Sequence, residues 1–216
     1  MAAKLRWKIA QWAERKWWQI YLKNKKTSDY ATWKIDYWTN FLEQCKPEIS
    51  IQENHQILDA GCGPAGLFIA LPNHQVTALD PLLDSYEKDL PHFKKSNYPN
   101  TTFITSSLED FDLKNKFDVI FCLNAINHVS DISLAFDKLF QSTKPGAKMA
   151  ISIDAHKKTF LKKIFQALPG DVLHPHQFDL KDYCTMIEEK NCNVLRKQLL
   201  KSESIFDYYL LLVEKK

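Results

Sequence analysis

Gln56-Ile-Leu-Asp-Ala-Gly-Cys-Gly-Pro-Ala-Gly66 decides the reading of this chain. A short apolar run ends in Asp59, and three of the chain's five glycines follow at 61, 63 and 66. Glycine permits backbone conformations closed to other residues and lets a ligand approach without a Cβ in the way. A strand, a tight glycine turn and a helix start at Leu67-Phe-Ile-Ala-Leu71 make a unit whose amides can cradle a nucleotide. Val76-Thr-Ala-Leu79 then reads as a second strand ending at Asp80. A carboxylate there can accept both hydrogen bonds of a ribose diol. At a strand end on a pocket rim it is expected to pack against little.

The loop alone is a Gly-x-Gly-x-x-Gly pattern shared with dinucleotide-binding proteins. Asp59, two positions before the first glycine, separates the readings. Asp-x-Gly-x-Gly after a first strand resembles motif I of the class I S-adenosylmethionine (AdoMet)-dependent methyltransferases. In that family the acid helps to hold the cationic methionine end of the cofactor, whereas it would be a poor neighbour for an anionic pyrophosphate. The resemblance implies an α/β, Rossmann-like fold: a mostly parallel seven-stranded sheet, order 3-2-1-4-5-7-6, closed by a C-terminal antiparallel β hairpin. It implies cofactor contacts at Asp59, Gly61, Cys62, Gly63, Asp80, Pro81, Ser107, Leu108 and Asn124.

The remaining chain fits that plan. Thr101–Thr105 reads as a third strand running into Ser106-Ser-Leu-Glu-Asp-Phe111, which resembles the family's Gly-Asp-Ala-Glu-Asp-Leu segment at the adenine. Ser107 stands where the family has an acid, leaving a hydroxyl and the Leu108 amide for that contact. Phe117-Asp-Val-Ile-Phe-Cys-Leu123 is a near-continuous apolar run, as a strand buried on both faces requires. It ends in Asn124-Ala-Ile-Asn-His-Val129, off the carboxyl end of a central strand, where open α/β sheets bind ligands. That segment is not the Asn/Asp-Pro-Pro-Tyr type, which argues against adenine-N6 chemistry. His128 is the catalytic candidate, with a local hydrogen-bonding role as the alternative.

Asp131–Phe140 reads as an amphipathic helix, and Lys144-Pro-Gly-Ala-Lys148 resembles the family's Lys-Pro-Gly-Gly turn before a fifth strand, Met149–Ile153. Beyond it lie a helix near 159–168 closed by Pro169-Gly170, and three of the seven histidines, 156, 174 and 176. Many small-molecule methyltransferases build the acceptor pocket in this region; capping or solvated histidines are the other reading. A helix from Leu180 leads to Asn191, which tolerates a left-handed conformation. The closing hairpin is Val194–Leu200 and Ile205–Val213.

Residues 1–50 are expected to form a helical cap on a domain at 51–216. Residues 1–26 hold eight basic side chains against Glu14 alone, +7, while the whole chain is +3, so residues 27–216 carry −4. Leu5, Ile9, Trp12, Ala13, Trp17 and Ile20 share one helical face, interrupted by Lys16; Trp7, Trp18 and Leu22 lie on the other. Apolar contacts are therefore wanted all round. A helix packed on the main domain, a lid over the substrate, and a basic-aromatic surface for membrane lipid or another acidic partner all fit. A second helix, capped by Thr27 or Ser28, carries an aromatic stripe of Tyr30, Trp33, Tyr37 and Phe41, with Tyr30 or Tyr37 expected to face the pocket.

Composition bounds the rest. Hydrophobic residues at 45% and charged residues at 25% are globular values. Five cysteines without Cys-x-x-Cys spacing suggest reduced thiols in a cytoplasmic protein, with no disulfide framework and no metal site. No apolar run is long enough to span a membrane, the N-terminus lacks a clean signal core, and nothing points strongly to nucleic acid. The chain is identified as a member of the AdoMet-dependent methyltransferases, acting on a small-molecule acceptor. An NAD(P)-dependent oxidoreductase would use the same glycine loop, but the chain ends in a hairpin with no further catalytic domain. A catalytically silent AdoMet-binding protein is the other alternative.

Overall fold

Ile57 and Leu58 point to opposite faces of one sheet, and the two hydrophobic cores follow from that alternation. The computed structural model describes residues 2–157 and 178–216. Strands β1 (Gln56–Ala60), β2 (Gln75–Leu79), β3 (Thr101–Ile104), β4 (Phe117–Cys122) and β5 (Thr143–His156) are parallel, while β7 (Phe206–Lys215) runs antiparallel to β5 and to β6 (Cys192–Ser202). The order is β3-β2-β1-β4-β5-β7-β6, as the resemblance implied. Helices α1 (Ala2–Leu22), α2 (Thr27–Gln44) and α3 (Leu83–Asp89) precede α4 (Ile132–Ser142) and α5 (Leu180–Glu188).

Each face of the sheet has its own cover. Ile57, Val119, Phe121 and Ala150 meet Leu22, Trp38 and Phe41 of the first two helices, with Phe68 and Tyr86. Leu58, Ile120, Met149 and Ile151 meet Phe136 and Leu139 of α4 and Tyr183 and Ile187 of α5. The caps are local chemistry. Asp131 accepts the Leu134 amide at 3.0 Å, and Asp179 and Asp182 form a reciprocal capping box at the start of α5. Asn191 turns left-handed at φ +60° after α5.

Four local expectations change. Leu67–Ala70 is a 3₁₀ turn rather than the first turn of an α-helix, because Pro72 forbids continuation and disfavours helical geometry at the residue before it. Thr27 is already the first helical residue of α2; Lys26 occupies the cap, with no side-chain hydrogen bond. Lys144–Ala147 is not a separate turn but a bulge within β5. Phe117 pairs with Thr143 and Val119 with Lys148, and Gly146 absorbs the distortion at φ +76°. Neither aromatic expected at the pocket reaches it: Tyr30 is buried in the core and Tyr37 is exposed. The expected 159–168 helix, its Pro169-Gly170 stop, His174 and His176 lie outside the described residues.

Candidate functional site

The glycine loop is folded back onto the end of β2. The amides of Gly61 and Cys62 both donate to the Leu79 carbonyl, at 2.7 and 3.1 Å. Gly61 sits at φ +72°, and a Cβ on it would stand 2.2 Å from that of Ala125. Only glycine meets both conditions. A Cβ on Gly66 would fall 2.4 Å from Asp59 Oδ2, which locates that carboxylate behind the loop.

Asp59 is 3% exposed and accepts the Phe68 amide at 3.1 Å, so it pins the 3₁₀ turn to the end of β1. Burial raises its carboxyl to about 7, against the opposing pull of the Phe68 and Leu67 amides and the Lys34 charge. Asp80 is also enclosed, 5% exposed, rather than a loosely packed rim residue. Its Oδ2 accepts the Gly63 amide at 3.0 Å and its Oδ1 the Leu82 amide at 2.8 Å. Burial raises its carboxyl, and Glu14 adds to the effect.

In front of the loop lies a cavity of about 670 Å³. Its lining includes Gly61, Asp80 and Pro81 together with Ser107, Leu108, Asn124 and His128. Asp59, Cys62 and Gly63 lie behind that lining. The Ser107 hydroxyl is engaged locally, donating to Asp110 Oδ2 at 2.8 Å and accepting the Asp110 amide at 3.2 Å. Asn124 is left-handed at φ +53°, its amide donating to Ser152 Oγ of β5 at 2.7 Å. His128 closes the next 3₁₀ turn, its amide donating to the Ala125 carbonyl at 3.0 Å. His156 is buried at the end of β5 with its ring 4.5 Å from that of Phe206.

The roof comes from α1. Gln11, Glu14 and Trp18 line the cavity, and Trp18 Cζ2 stands 3.6 Å from where a Gly63 Cβ would be. The helix is strapped to α3: the Tyr86 hydroxyl donates to Glu14 at 2.9 Å, Gln19 donates to Asp89 at 3.1 Å, and Arg15 pairs with Asp89. Thus Trp18 and Glu14 turn inward, while Ile9, Trp12 and Ile20 stay exposed. α2 closes the end of the loop, where Trp38 Nε1 donates to the Ala65 carbonyl at 2.9 Å. One turn earlier, Lys34 projects into the cavity, and burial lowers its amine to about 8. The sequence reading missed Gln11, Glu14 and Lys34. Their signals were present: Glu14 is the lone acid among eight bases, and Lys34 interrupts an aromatic stripe.

Known proteins resemble this chain in sequence and in fold. The chain is 30% identical over 138 residues to the ubiquinone biosynthesis O-methyltransferase of Rickettsia prowazekii (strain Madrid E), covering 62% of this chain and 53% of that one. It is 27% identical over 152 residues to malonyl-[acyl-carrier protein] O-methyltransferase 1 of Ilyobacter polytropus, covering 67% and 55%. The chain therefore spans about half the length of the curated relatives it matches. The fold superposes on the YcgJ protein from Bacillus subtilis with a TM-score of 0.64 at 14% identity, covering 83% of this chain and 97% of that one. It superposes on magnesium protoporphyrin IX methyltransferase from Synechocystis PCC 6803, solved with bound SAH, with a TM-score of 0.55 at 19% identity, covering 84% and 82%. A family model described as a methyltransferase domain matches residues 51–204, taking in the glycine loop, Asp80 and the β4 exit, and the chain belongs to that family.

Proposed function

We propose that this protein is an AdoMet-dependent methyltransferase acting on a small-molecule acceptor, with residues 1–50 serving as a cap on a catalytic domain at 51–216. The observation that carries the reading is the cavity between the glycine loop and α1. Its volume falls within the roughly 300–1,000 Å³ of small-molecule sites. An ionised carboxylate offers about four acceptor positions. The Gly63 and Leu82 amides occupy two of those on Asp80, which leaves acceptors for a ribose diol. Leu79, Pro81 and Leu108 offer an apolar slot for an adenine, and the chemistry of these residues fits the cofactor.

Bound AdoMet supplies a methyl carbon made electrophilic by its sulfonium. The protein's part is to orient an acceptor and exclude water. Gly61 lets the backbone approach, Asp59 holds the loop in shape, and Trp18 and Glu14 close the roof. His128, facing the cavity from the β4 exit, is our candidate to orient the acceptor or take its proton. The names of the curated relatives favour an acceptor oxygen. Calorimetry tests the reading: the chain should bind AdoMet and S-adenosylhomocysteine and ignore NADH and NADPH. Tight dinucleotide binding with none for AdoMet would sink it.

We place the protein in the cytoplasm, a reading supported by five buried, unpaired cysteines. Among the described residues, no helix is long and apolar enough to cross a membrane. The outer face of α1 supports contact with an anionic membrane surface. Trp12 and Ile20 are 61% and 74% exposed there, flanked by exposed Lys8, Lys16 and Lys23, while Glu14 faces inward. Interfacial tryptophan plus lysine predicts sedimentation with phosphatidylglycerol-containing vesicles. Release is expected in about 1 M salt, where the screening length shrinks to roughly 3 Å. Trp12→Glu should abolish sedimentation and spare nucleotide binding; equal binding to neutral vesicles would count against the idea.

A further inference from the structure

Glu109 ties together two loops that the sheet keeps apart. It follows Leu108 in the loop after β3, whereas His128 lies in the turn after β4, and β2 and β1 stand between those two strands. The sheet itself therefore does not link their ends. One carboxylate oxygen does. Glu109 Oε1 accepts the Ser130 amide at 2.7 Å, the Ser130 hydroxyl at 2.9 Å and the Asp131 amide at 3.3 Å. Bonds to an ionised acceptor are stronger than neutral ones, and the start of α4 favours a negative charge.

Each end of this link is held firmly by its own neighbours. The Phe111 and Asp110 amides both donate to the Ser107 carbonyl, at 3.2 and 3.3 Å. Leu108 and Phe111 are buried in the same core as Ile126, Val129 and Ile132. On the far side the His128 amide donates to the Ala125 carbonyl at 3.0 Å, and Asp131 caps α4 by accepting the Leu134 amide. Ser107, Leu108, Glu109 and His128 all line the cavity. A ligand that settles the 106–109 loop thus acts, through Glu109, on the residues directly after the His128 turn.

We infer that Glu109 is a positioning residue: it couples occupancy of the cofactor's nucleoside end to the placement of His128. This rests on the AdoMet reading above. The turn that presents His128 to an acceptor is then fully set only when the cofactor is in place. Coupling between two sites is reciprocal, so one carboxylate serves both.

The experiment is amide hydrogen exchange followed by NMR on the full chain, with S-adenosylhomocysteine as the probe. In the wild type the His128 amide should exchange about 5-fold or more slowly with the probe bound than without it, the low end of the range for coupled sites. Glu109→Ala should bring that ratio to about 1, and so should Glu109→Asp, which keeps the charge but falls one methylene short. Glu109→Gln keeps an acceptor oxygen at the same reach and should restore most of the effect. Both shortened variants should fold, because the three bonds are exposed and water can take the place of the carboxylate. Retained binding of the probe shows that they do. A merely structural link would speed His128 exchange equally with and without the probe, leaving the ratio at its wild-type value. That result overturns the proposal, as does a wild-type ratio near 1. A wild-type chain that does not bind the probe would defeat the AdoMet reading itself, and this assignment with it.

Discussion

Gly61→Ala is expected to cost about 2–5 kcal/mol of folding stability and to abolish cofactor binding. Two penalties add. The residue sits at φ +72°, where a left-handed alanine costs about 1–2 kcal/mol. Its new methyl would lie 2.2 Å from the Ala125 Cβ, an overlap that the turn after β4 must absorb. Overpacking of this kind typically costs about 1–3 kcal/mol. Domains of this size are stable by roughly 5–15 kcal/mol, so the variant would keep only part of its margin. Gly146→Ala is the control. It also has a positive φ, +76°, but nothing lies within 4 Å of its added methyl. It should therefore pay the conformational penalty alone. Urea denaturation of the two variants separates the effects; equal losses would show that the glycine loop and the β4 exit yield to each other freely.

Asp80→Asn is expected to weaken AdoMet by about 2–3 kcal/mol, or 30- to 150-fold in Kd. The amide keeps one oxygen, which can still serve Leu82, but it turns an N–H₂ toward the Gly63 amide or toward the ribose. The first sets donor against donor, and the second takes away one of the acceptors that the ribose diol would use. The loss is confined to the bonds of the replaced oxygen, because the amide keeps one acceptor and the shape of the side chain. Stability should respond to pH in the opposite sense to a salt-bridged carboxylate. Burial and Glu14 raise the Asp80 carboxyl, so between the unfolded and folded values the folded chain holds the extra proton. The contribution of Asp80 to stability therefore falls as pH rises from about 4 through the raised folded value. Relative to wild type, Asp80→Asn should look better at pH 8 than at pH 5 in denaturation. A well-folded variant that binds AdoMet like wild type would move the ribose site elsewhere.

The two carboxylates show how far local reading reaches. Asp59 and Asp80 were legible as strand-end acids because a strand, its final residue and the next glycine are neighbours in the chain. Their hydrogen bonds were not. Asp59 accepts from Phe68 and Asp80 from Gly63, partners chosen by how the loop folds back. Asp80 consequently supports the loop as well as facing the cavity, although a rim position suggested an acid that packs against little. The helix expected after Gly66 illustrates the converse. Pro72 was visible throughout, but the glycine pattern outweighed a helix stop that the proline makes necessary.

Sheet order, the closing hairpin, the glycine loop and the left-handed Asn191 were determined by sequence alone. The last three rest on short-range rules, a period of two along a strand, a tight turn and a residue that tolerates positive φ, while the sheet order is what the resemblance carried by Asp59 and the glycine loop implied. Only the tertiary structure decided which side of α1 is inside. That helix is apolar on both faces, and the richer face, with Ile9, Trp12 and Ile20, is the one left exposed. The inward choice was made by Tyr86 and Asp89, more than seventy positions away, through Glu14 and Arg15. An amphipathic pattern orients a helix only when one face is polar. Where both are apolar, long-range polar partners set the rotation, and here that rotation carries Glu14 and Trp18 over the glycine loop.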